Sequence, residues 1–226
     1  MSEWHSDEEL FRISRSELYT AVIGDICDQL NMRRRFLDPE IRSLQRGPGV
    51  PLLIGRALTV LEADVFAEPA GDAPFGCMLS ALDDLKQDEV YICAGASPRY
   101  ALVGELMATA MVSRGAAGAV LDGYARDSEG LFSLGFPVYS RGSYAQDQRG
   151  RGIVIDYRVP IEIAGVSIEP GDIVVGDIDG VLVVPQSAET EVFTRALAKA
   201  RAEKTVQKAI AEGMTTTEAF ETYGIL

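Results

Sequence analysis

The sequence predicts an α/β fold, in which buried strands alternate with amphipathic helices along the chain. The stretch Glu89–Gly95 (EVYICAG) is an apolar run of strand length, and a helical pattern follows it from Gly104 onward. Residues 153–184 are rich in valine and isoleucine that alternate with polar residues, between the turn-forming sequences Ala-Gly, Pro-Gly-Asp and Asp-Gly. We expect a meander of about four short strands there.

An amphipathic helix is predicted near the N-terminus, over residues 14–31, and a serine at position 14 or 16 can cap its first turn. Its apolar stripe repeats every four residues: Leu18, Val22, Ile26 and Leu30. Asp25 and Asp28 lie on or near the other face, so we expect them either in solvent or at the mouth of a site. The residues before this helix, which include His5, are expected to form a loose terminus.

A long charged helix is predicted over residues 187–212, with Ser187 as its cap and Gly213 after its end. A short last helix is expected over residues 215–223. The inward stripe of the long helix contains Val192, Ala196, Leu197 and Ala200. Glu203 falls on the same stripe, where a carboxylate needs a partner unless the helix packs loosely and leaves it in water.

The stretch from Gly104 to Asp127 is the most informative part of the chain. Gly104 precedes a helical pattern, and Gly115 can take the left-handed position that ends the helix. Residues 116–121 form a short apolar run, which is typical of a strand buried on both faces. A polar loop follows and ends at the adjacent Arg126 and Asp127.

The geometry of a helix followed by a strand brings the two ends of this stretch together. A helix of about 11 residues rises ~16 Å, and a strand of 5–6 residues covers ~17–20 Å. If the strand packs back along the helix, Arg126 and Asp127 face Glu105 and the free N–H groups of residues 104–107. A helix start that attracts anions, a cation and two carboxylates would then share one volume, as in a site for a divalent metal and a small carboxylate ligand.

The charge balance argues against nucleic acid or an anionic membrane as the main partner. The chain has 21 basic and 34 acidic residues, for a formal net charge of -13, whereas both partners require a basic surface. Arg33–Arg35 is the only basic run, and a solvated helix end or a subunit contact explains it better than a phosphate contact.

The sequence is that expected of a cytoplasmic protein. Its first residues are polar and acidic, unlike a signal peptide, and no apolar run reaches the roughly 18–20 residues of a membrane span. Cys27, Cys77 and Cys93 are widely spaced without a CxxC pair, which favours a reducing compartment and neither zinc nor disulfides. With His5 as the only histidine, any catalysis depends on carboxylates, arginine, lysine, tyrosine, water or a metal.

Other candidate motifs are weaker. The chain contains neither a GxxxxGK[ST] loop nor a GxGxxG fingerprint, so nothing specific supports nucleotide binding. Asp172, Asp177 and Asp179 stand in Pro-Gly-Asp and Asp-Gly contexts, which favour turn chemistry over a metal cluster. Residues 62–76 form an acidic loop with proline and glycine, a natural lid or specificity segment, and residues 47–49 (Gly-Pro-Gly) predict a turn.

Glu105, followed after twenty residues by Arg126-Asp127, resembles the signature of the RraA-like family. That family includes the 4-hydroxy-4-methyl-2-oxoglutarate / 4-carboxy-4-hydroxy-2-oxoadipate aldolases and the protein regulator of ribonuclease E activity. Further matches extend along most of the chain: Gly24–Asp28, Gly55–Val60, Phe136–Val138 and Pro170–Pro185. The resemblance implies one domain over residues 1–226, with a core at 14–186 and a C-terminal helical extension at 187–226.

The fold implied by the resemblance is an α/β/β/α sandwich like that of the swivelling phosphohistidine domain, assembled as a homotrimer or homohexamer with sites between subunits. Asp127 would ligate Mg²⁺ (or Mn²⁺) directly, and Glu105 would hold metal-bound waters. Arg126 would bind the ligand's carboxylate and carbonyl oxygens, and the backbone N–H groups of Gly104, Glu105, Leu106 and Met107 would take the carboxylate. Glu203 is the candidate for an acidic residue that reaches the site of a neighbouring subunit.

The resemblance implies a class II lyase that cleaves a 2-oxo acid to pyruvate, with oxaloacetate decarboxylation available at the same site. One departure is Glu105, where the characterised aldolases often have aspartate; a water-mediated contact tolerates the extra methylene better than direct ligation does. A non-catalytic regulator that binds a ribonuclease, and a carboxylate or metal binder without turnover, are the alternatives. The long helix at 187–212 resembles aldolase-type members more than the compact regulator.

Overall fold

The structure is a computed structural model that describes residues 3–45, 52–67 and 73–225. The predicted Gly47-Pro48-Gly49 turn and part of the predicted 62–76 loop lie outside these residues. The helices are α1 (Asp7–Glu17), α2 (Thr20–Gln29), α3 (Met78–Asp83), α4 (Glu105–Ser113), α5 (Ser128–Leu134), α6 (Glu189–Ala211) and α7 (Thr216–Tyr223). The strands are β1 (Arg42–Ser43), β2 (Leu53–Asp64), β3 (Glu89–Ala94), β4 (Ala101–Val103), β5 (Gly118–Leu121), β6 (Tyr124–Ala125), β7 (Val138–Ser140), β8 (Gly152–Tyr157), β9 (Ile161–Ile163), β10 (Val166–Ile168), β11 (Ile173–Asp177) and β12 (Gly180–Val184).

The main sheet has the strand order β1-β7-β5-β3-β2-β11-β12 and is nearly closed. The long strand β2 pairs in parallel with β3 along one side, and on its other side it pairs first with β11 and then with β8, both antiparallel. At the far edge, the N–H of Leu37 donates to the carbonyl of Val181, and that of Val183 donates to Arg35, each over 2.9 Å. The segment before β1 therefore runs along β12 and brings the two edges of the sheet together.

Along the strands, side chains point alternately into the interior of the nearly closed sheet and outward to the helices that cover it. In β3, Tyr91 packs with residues of α3, α4 and α5, while its neighbour Ile92 faces the interior. In β11, Val175 packs with α1, α2 and α6, while Val174 faces the interior. The interior lies between two halves of the sheet, one around β3 and one around β11, and helices cover the outer face of each half. This confirms the predicted α/β/β/α arrangement.

The N-terminal prediction was wrong in two respects. Residues 14–31 do not form one helix, because the backbone is extended at Leu18 and Tyr19, between α1 and α2. The terminus is not loose, because α1 buries Leu10 and Phe11 and is capped by Ser6. The apolar spacing concealed the break, since Leu18 is buried together with Val22 and Ile26 of α2.

The region predicted as a meander of about four strands, residues 153–184, has five strands, β8 to β12. β8 pairs with β2, β9 and β10 form a separate hairpin, and β11 pairs with both β12 and β2. Alternation predicted the strands correctly but contains no information on which distant strand each one joins. Ser187 does not cap α6, which follows a 3₁₀ turn at Gln186–Ala188. Thr215 and Glu218 form a capping box for α7.

The turn aspartates satisfy backbone groups, as predicted. Asp172 accepts hydrogen bonds from the N–H groups of Glu169 and Gln186, each over 3.0 Å. Asp177 accepts from the N–H and hydroxyl of Thr20, each over 2.7 Å, and thereby caps α2 from another part of the chain. Within residues 3–45, 52–67 and 73–225, no group of three His, Cys, Asp or Glu side chains is arranged to hold a metal ion.

Two further sequence features are located by the structure. Arg33–Arg35 do not form a helix end, because α2 stops at Gln29 and the arginines lie in the extended segment that approaches β12. Of the helices in the described ranges, none combines the length and the apolar character needed to cross a membrane.

Candidate active site

The strand pair β4–β6 brings the start of α4 beside the loop that carries Arg126 and Asp127. Val103, at the end of β4, lies opposite Ala125 in a parallel pair. The N–H of Arg126 continues this pairing by donating to the Val103 carbonyl over 2.9 Å. The predicted return of the chain along α4 therefore occurs, through a short strand pair that the sequence did not reveal.

Asp127 lies at the N-termini of two helices. Its Oδ2 accepts a hydrogen bond from the backbone N–H of Glu105, the first residue of α4, over 3.2 Å. Its own backbone is left-handed (φ 55°, ψ 43°) and precedes α5 as the N-cap residue. The positive ends of both helix dipoles lie next to this residue, and its side chain is 45% exposed and accessible to a ligand.

Arg126 is held between two carboxylates. Its Nε lies 3.6 Å from Oδ2 of Asp127, and its Nη1 lies 3.3 Å from Oδ1 of Asp147. The guanidinium lines a cavity of about 320 Å³. The other walls of this cavity are mostly apolar and include Phe75, Leu79, Leu82, Leu106 and Met107, together with the polar Gln148.

Two glycines make room for the charged groups of this site. A Cβ atom on Gly104 would lie 2.6 Å from Oδ2 of Asp127 and 3.1 Å from Nε of Arg126. A Cβ atom on Gly130 of α5 would lie 2.4 Å from Cδ of Glu105. Glu105 therefore extends across the first turn of α5, and the absence of a side chain at Gly130 accommodates the glutamate.

Glu203 belongs to a different cavity of the chain. It accepts a hydrogen bond from the hydroxyl of Tyr19, and its Oε1 lies 3.3 Å from Nζ of Lys199. It lines a cavity of about 520 Å³ with apolar residues of α6, including Val206 and Ile210. Glu203 is thus a half-buried, partnered carboxylate and not a free one in water. Its contribution to a neighbouring subunit's site stays a prediction.

Partial burial changes the acid–base chemistry of the Tyr19 hydroxyl. Desolvation, and then the hydrogen bond to Glu203, raise the pKa of the Tyr19 hydroxyl to about 12. Asp25 of α2 pairs with Lys199 on the same side of the molecule, and Asp28 is exposed. Neither aspartate is among the residues that line the Arg126 cavity.

The sequence did not reveal a buried polar network next to the Arg126 cavity. The predicted loop at 62–76 begins later than expected, because β2 continues through Asp64 and buries Glu62. Nε2 of Gln148 donates to Oε1 of Glu62 over 2.6 Å, and the Tyr100 hydroxyl donates to Oδ1 of Asp64 over 3.1 Å. Desolvation raises the pKa of Glu62 to about 8, against the opposing effect of its hydrogen bonds with Tyr100 and Gln148. No local pattern marks Glu62 or Gln148, since their contact joins residues 86 apart in the chain.

The part of the chain that contains Glu105, Arg126 and Asp127 is similar to known proteins. A family model described as "RraA-like: Aldolase/RraA" matches residues 20–183. A "Putative 4-hydroxy-4-methyl-2-oxoglutarate aldolase" of Halalkalibacterium halodurans is 33% identical over 133 residues, which are 59% of this chain and 63% of that protein. The match therefore spans just under two thirds of that relative's length.

Two solved structures share the fold. An uncharacterized protein from Pseudomonas syringae pv. tomato str. DC3000 superposes with a TM-score of 0.83 at 28% identity and covers 99% of this chain and 98% of its own. Streptomyces coelicolor RraAS2, described as an unusual member of the RNase ES inhibitor RraA protein family, superposes with a TM-score of 0.76 at 25% identity and covers 90% of this chain and 98% of its own. With a family model that matches well over half of its residues, the chain belongs to the RraA-like (Aldolase/RraA) family.

Proposed function

We propose that this protein is a divalent-metal-dependent lyase that cleaves a 2-oxo acid to pyruvate. The substrate would be of the 4-hydroxy-4-methyl-2-oxoglutarate type, and oxaloacetate would be decarboxylated at the same site. The observation that carries this proposal is the placement of the Asp127 carboxylate and the Arg126 guanidinium together at the start of α4. The name of the relative from Halalkalibacterium halodurans supports the aldolase assignment.

The donor set at this site fits Mg²⁺ or Mn²⁺ bound largely through water. Magnesium retains several waters and binds proteins through one or two carboxylates, whereas structural zinc requires four ligands. Asp127 offers an exposed carboxylate that uses Oδ2 for the Glu105 N–H, so it is the residue proposed to hold the ion. Glu105 and, from a neighbouring subunit, Glu203 would bind the waters of the ion. When bound, the ion would stabilise the negative charge that develops on the substrate keto oxygen as the C3–C4 bond breaks.

Arg126 and the start of α4 would bind and orient the 2-oxo acid end of the substrate. The helical hydrogen-bond pattern begins with the N–H of Ala108, which donates to Gly104 over 3.0 Å. The N–H groups of Leu106 and Met107 precede it and remain for a carboxylate ligand. The Arg126 guanidinium offers further donors to the carboxylate and keto oxygens, in a geometry that suits bidentate contacts.

Glu105 is the residue proposed to move the proton. Retro-aldol cleavage removes a proton from the C4 hydroxyl and later returns one to the pyruvate carbon. Within the described residues, the cavity around Arg126 contains no histidine. The exposed carboxylate of Glu105 lies against Gly130, one turn into α5, where it can accept and release a proton through water. Lys86 lies between α3 and β3, and Lys199, Lys204 and Lys208 lie on α6. Because none of these four lysines lines the cavity, a Schiff-base mechanism has no support here.

A regulator that binds a ribonuclease is the second candidate, favoured by the likeness to RraAS2. The two are separated by measuring pyruvate release from 4-hydroxy-4-methyl-2-oxoglutarate and from oxaloacetate, with MgCl₂ and again with EDTA. A blank without protein subtracts spontaneous oxaloacetate decarboxylation. Metal-dependent pyruvate from either substrate supports the lyase. No pyruvate from either, with a folded protein and Mg²⁺ present, would refute this substrate assignment.

A further inference from the structure

A buried carboxyl group lies behind the wall of the Arg126 cavity. Glu62, on β2, is 3% exposed, and the side chain that it contacts, Gln148, is 4% exposed. The amide Nε2 of Gln148 donates to Oε1 of Glu62 over 2.6 Å. Gln148 also lines the cavity, so it is the direct link between the buried carboxyl group and the space proposed for the substrate.

Burial favours the neutral form of Glu62, and the hydrogen-bonding groups around the carboxyl can accommodate that form. The Tyr100 hydroxyl has one proton, which it donates to Asp64 over 3.1 Å. Asp64 is ionised, since Arg99 lies 3.0 Å away and the Ser97 N–H donates to it over 3.1 Å. Tyr100 is also hydrogen-bonded to Glu62. A protonated Glu62 completes this arrangement, because it can donate to the Tyr100 oxygen while it accepts from Gln148.

The other titratable groups that act on Glu62 agree with this interpretation. They are Asp64 on the same strand, Tyr100 before β4, and Tyr91 and Cys93 on β3. Burial raises the pKa of both Tyr91 and Cys93 well above their ordinary values, so these two side chains are neutral. Asp64 adds a negative charge that disfavours a second one on Glu62.

The network of Glu62, Gln148, Tyr100 and Asp64 is closely packed. It connects to Arg126 through the peptide unit between Asp147 and Gln148. A Cβ atom on Gly152 would lie 2.1 Å from the Tyr100 hydroxyl oxygen and 2.6 Å from Oε1 of Glu62, so the network has no spare room. The carbonyl of Gln148 accepts from the N–H groups of Arg151 and Gly152, over 2.8 and 3.0 Å. Asp147, the residue before Gln148, lies 3.3 Å from Nη1 of Arg126.

We propose that Glu62 is a positioning residue of the Arg126 cavity, which holds Gln148 at the cavity wall and, through the adjacent Asp147, sets the Arg126 guanidinium for an anionic ligand. The inference rests on the proposed function in taking that ligand to be a 2-oxo acid. Because Gln148 uses its amide nitrogen on Glu62, its amide oxygen is the atom left for a donor group of the ligand.

This role makes ligand binding depend on pH. Below its pKa of about 8, Glu62 is neutral and the network is complete. Above that pH, Glu62 is ionised, its link to Tyr100 loses a proton, and a new negative charge lies behind the cavity. Both changes weaken the binding of an anion. After solvent screening, one added charge behind the cavity wall corresponds to a roughly fivefold to tenfold higher Kd.

The test uses sodium oxalate, a small dianion related to the 2-oxo acid end, titrated calorimetrically into the full-length protein with MgCl₂ from pH 7 to pH 9.5. In the wild-type protein, Kd should rise roughly fivefold to tenfold across pH 8. In Glu62→Gln the rise should be lost, because a glutamine amide reproduces the neutral carboxyl: it donates to Tyr100 and accepts from Gln148. Glu162→Gln, an exposed change on β9, is the matched control and should keep the rise.

Two outcomes would overturn the proposal. One is a Glu62→Gln variant, folded by circular dichroism, that keeps the full rise in Kd. The other needs no variant: oxalate binding at pH 8.5 should draw a proton from buffer, seen as a binding enthalpy that varies with the buffer's ionisation enthalpy, and no proton uptake would contradict the linkage. Failure of the wild-type protein to bind oxalate at pH 7 would instead count against the proposed function.

Discussion

The backbone N–H of Glu105 donates to Oδ2 of Asp127 across 22 residues of sequence, and this contact joins the starts of α4 and α5. It places the carboxylate proposed to hold a metal at the positive ends of two helices. It also leaves Arg126 beside the same carboxylate, with Nε 3.6 Å from Oδ2. Substitutions at Asp127 and at the glycines next to Asp127 and Glu105 should therefore change activity more than stability.

Asp127→Asn should lower kcat/KM by roughly 100-fold or more, because an uncharged amide is a poor ligand for Mg²⁺ and loses several kcal/mol of charge stabilisation. Asparagine tolerates the left-handed backbone of this position (φ 55°), so the melting temperature should change little. Asp127→Ala should be equally inactive but should also lose about 1–2 kcal/mol of stability, because alanine is strained there. Steady-state pyruvate assays and thermal melts measure both effects. An active, metal-dependent Asp127→Asn variant would contradict the assignment.

Gly104→Ala should lower kcat/KM by about tenfold or more with little loss of stability. The backbone at Gly104 is extended, with φ −129°, so alanine is compatible with it. The added Cβ would nevertheless lie 2.6 Å from Oδ2 of Asp127 and would displace that carboxylate, and small displacements of catalytic groups are costly. Gly24→Ala is the control, because there the three nearest atoms to the added Cβ belong to the ring of the exposed Phe36, far from the charged groups of the site in sequence. Equal activities of the two variants would refute the steric argument.

Glu105 and Gly130 should be energetically coupled. Gly130→Ala should reduce activity by roughly tenfold in the wild-type background, because its Cβ would lie 2.4 Å from Cδ of Glu105. Glu105→Asp removes the contacts with Cδ and Oε2 at 2.4 Å and leaves only the contact with Cγ at 2.7 Å among these three, so it eases the clash. In a double-mutant cycle on kcat/KM, we therefore expect Gly130→Ala to cost less in the Glu105→Asp background, with a coupling energy of about 1 kcal/mol. Additive effects would show that Glu105 does not lie across α5.

Arg158→Met should destabilise the fold by about 3 kcal/mol without a direct effect on the site. Arg158 donates to Glu89 through Nη1 and Nη2 over 2.8 and 3.0 Å, and Glu89 is buried. Removing the cation leaves a buried carboxylate without its partner. Arg195→Met is the control, because Arg195 forms an exposed pair with Glu191 within α6, worth about 0.5 kcal/mol. Urea denaturation of both variants gives the two free energies of unfolding.

Glu62 should make the fold less stable as pH rises from about 4.5 to about 8. In this window the folded protein keeps a proton on Glu62, whose pKa is raised to about 8, whereas the unfolded chain has released it. The free energy of unfolding therefore falls with pH, and the fall ends above the folded-state pKa. Glu62→Gln has no such proton, so its stability advantage over the wild type should grow between pH 5 and pH 8. Urea denaturation of both proteins measures this difference in the free energy of unfolding. The same difference at pH 5 and at pH 8 would contradict the expectation.

The elements that were predicted correctly have local causes. The end of α4 follows from Gly115, which adopts the left-handed backbone (φ 77°) that glycine favours. The strand β5 follows from an apolar run that is buried along its whole length. By contrast, the break between α1 and α2 depends on Asp177, which caps Thr20 from 157 residues away. No pattern within residues 14–31 contains that information.

The linear pattern of residues was enough to identify the chemical groups of the site: Arg126 next to Asp127, Glu105 at a helix start, and no histidine near them in the chain. Local spacing and turn chemistry depend on neighbouring residues, so a linear pattern reveals them. The contacts of Gln148 with Glu62 and of Asp147 with Arg126 could be found only in the folded molecule, because these residues are distant in the chain. The raised pKa of Glu62 could not be predicted from the sequence either, because it depends on which distant strands and loops exclude water from the carboxyl group.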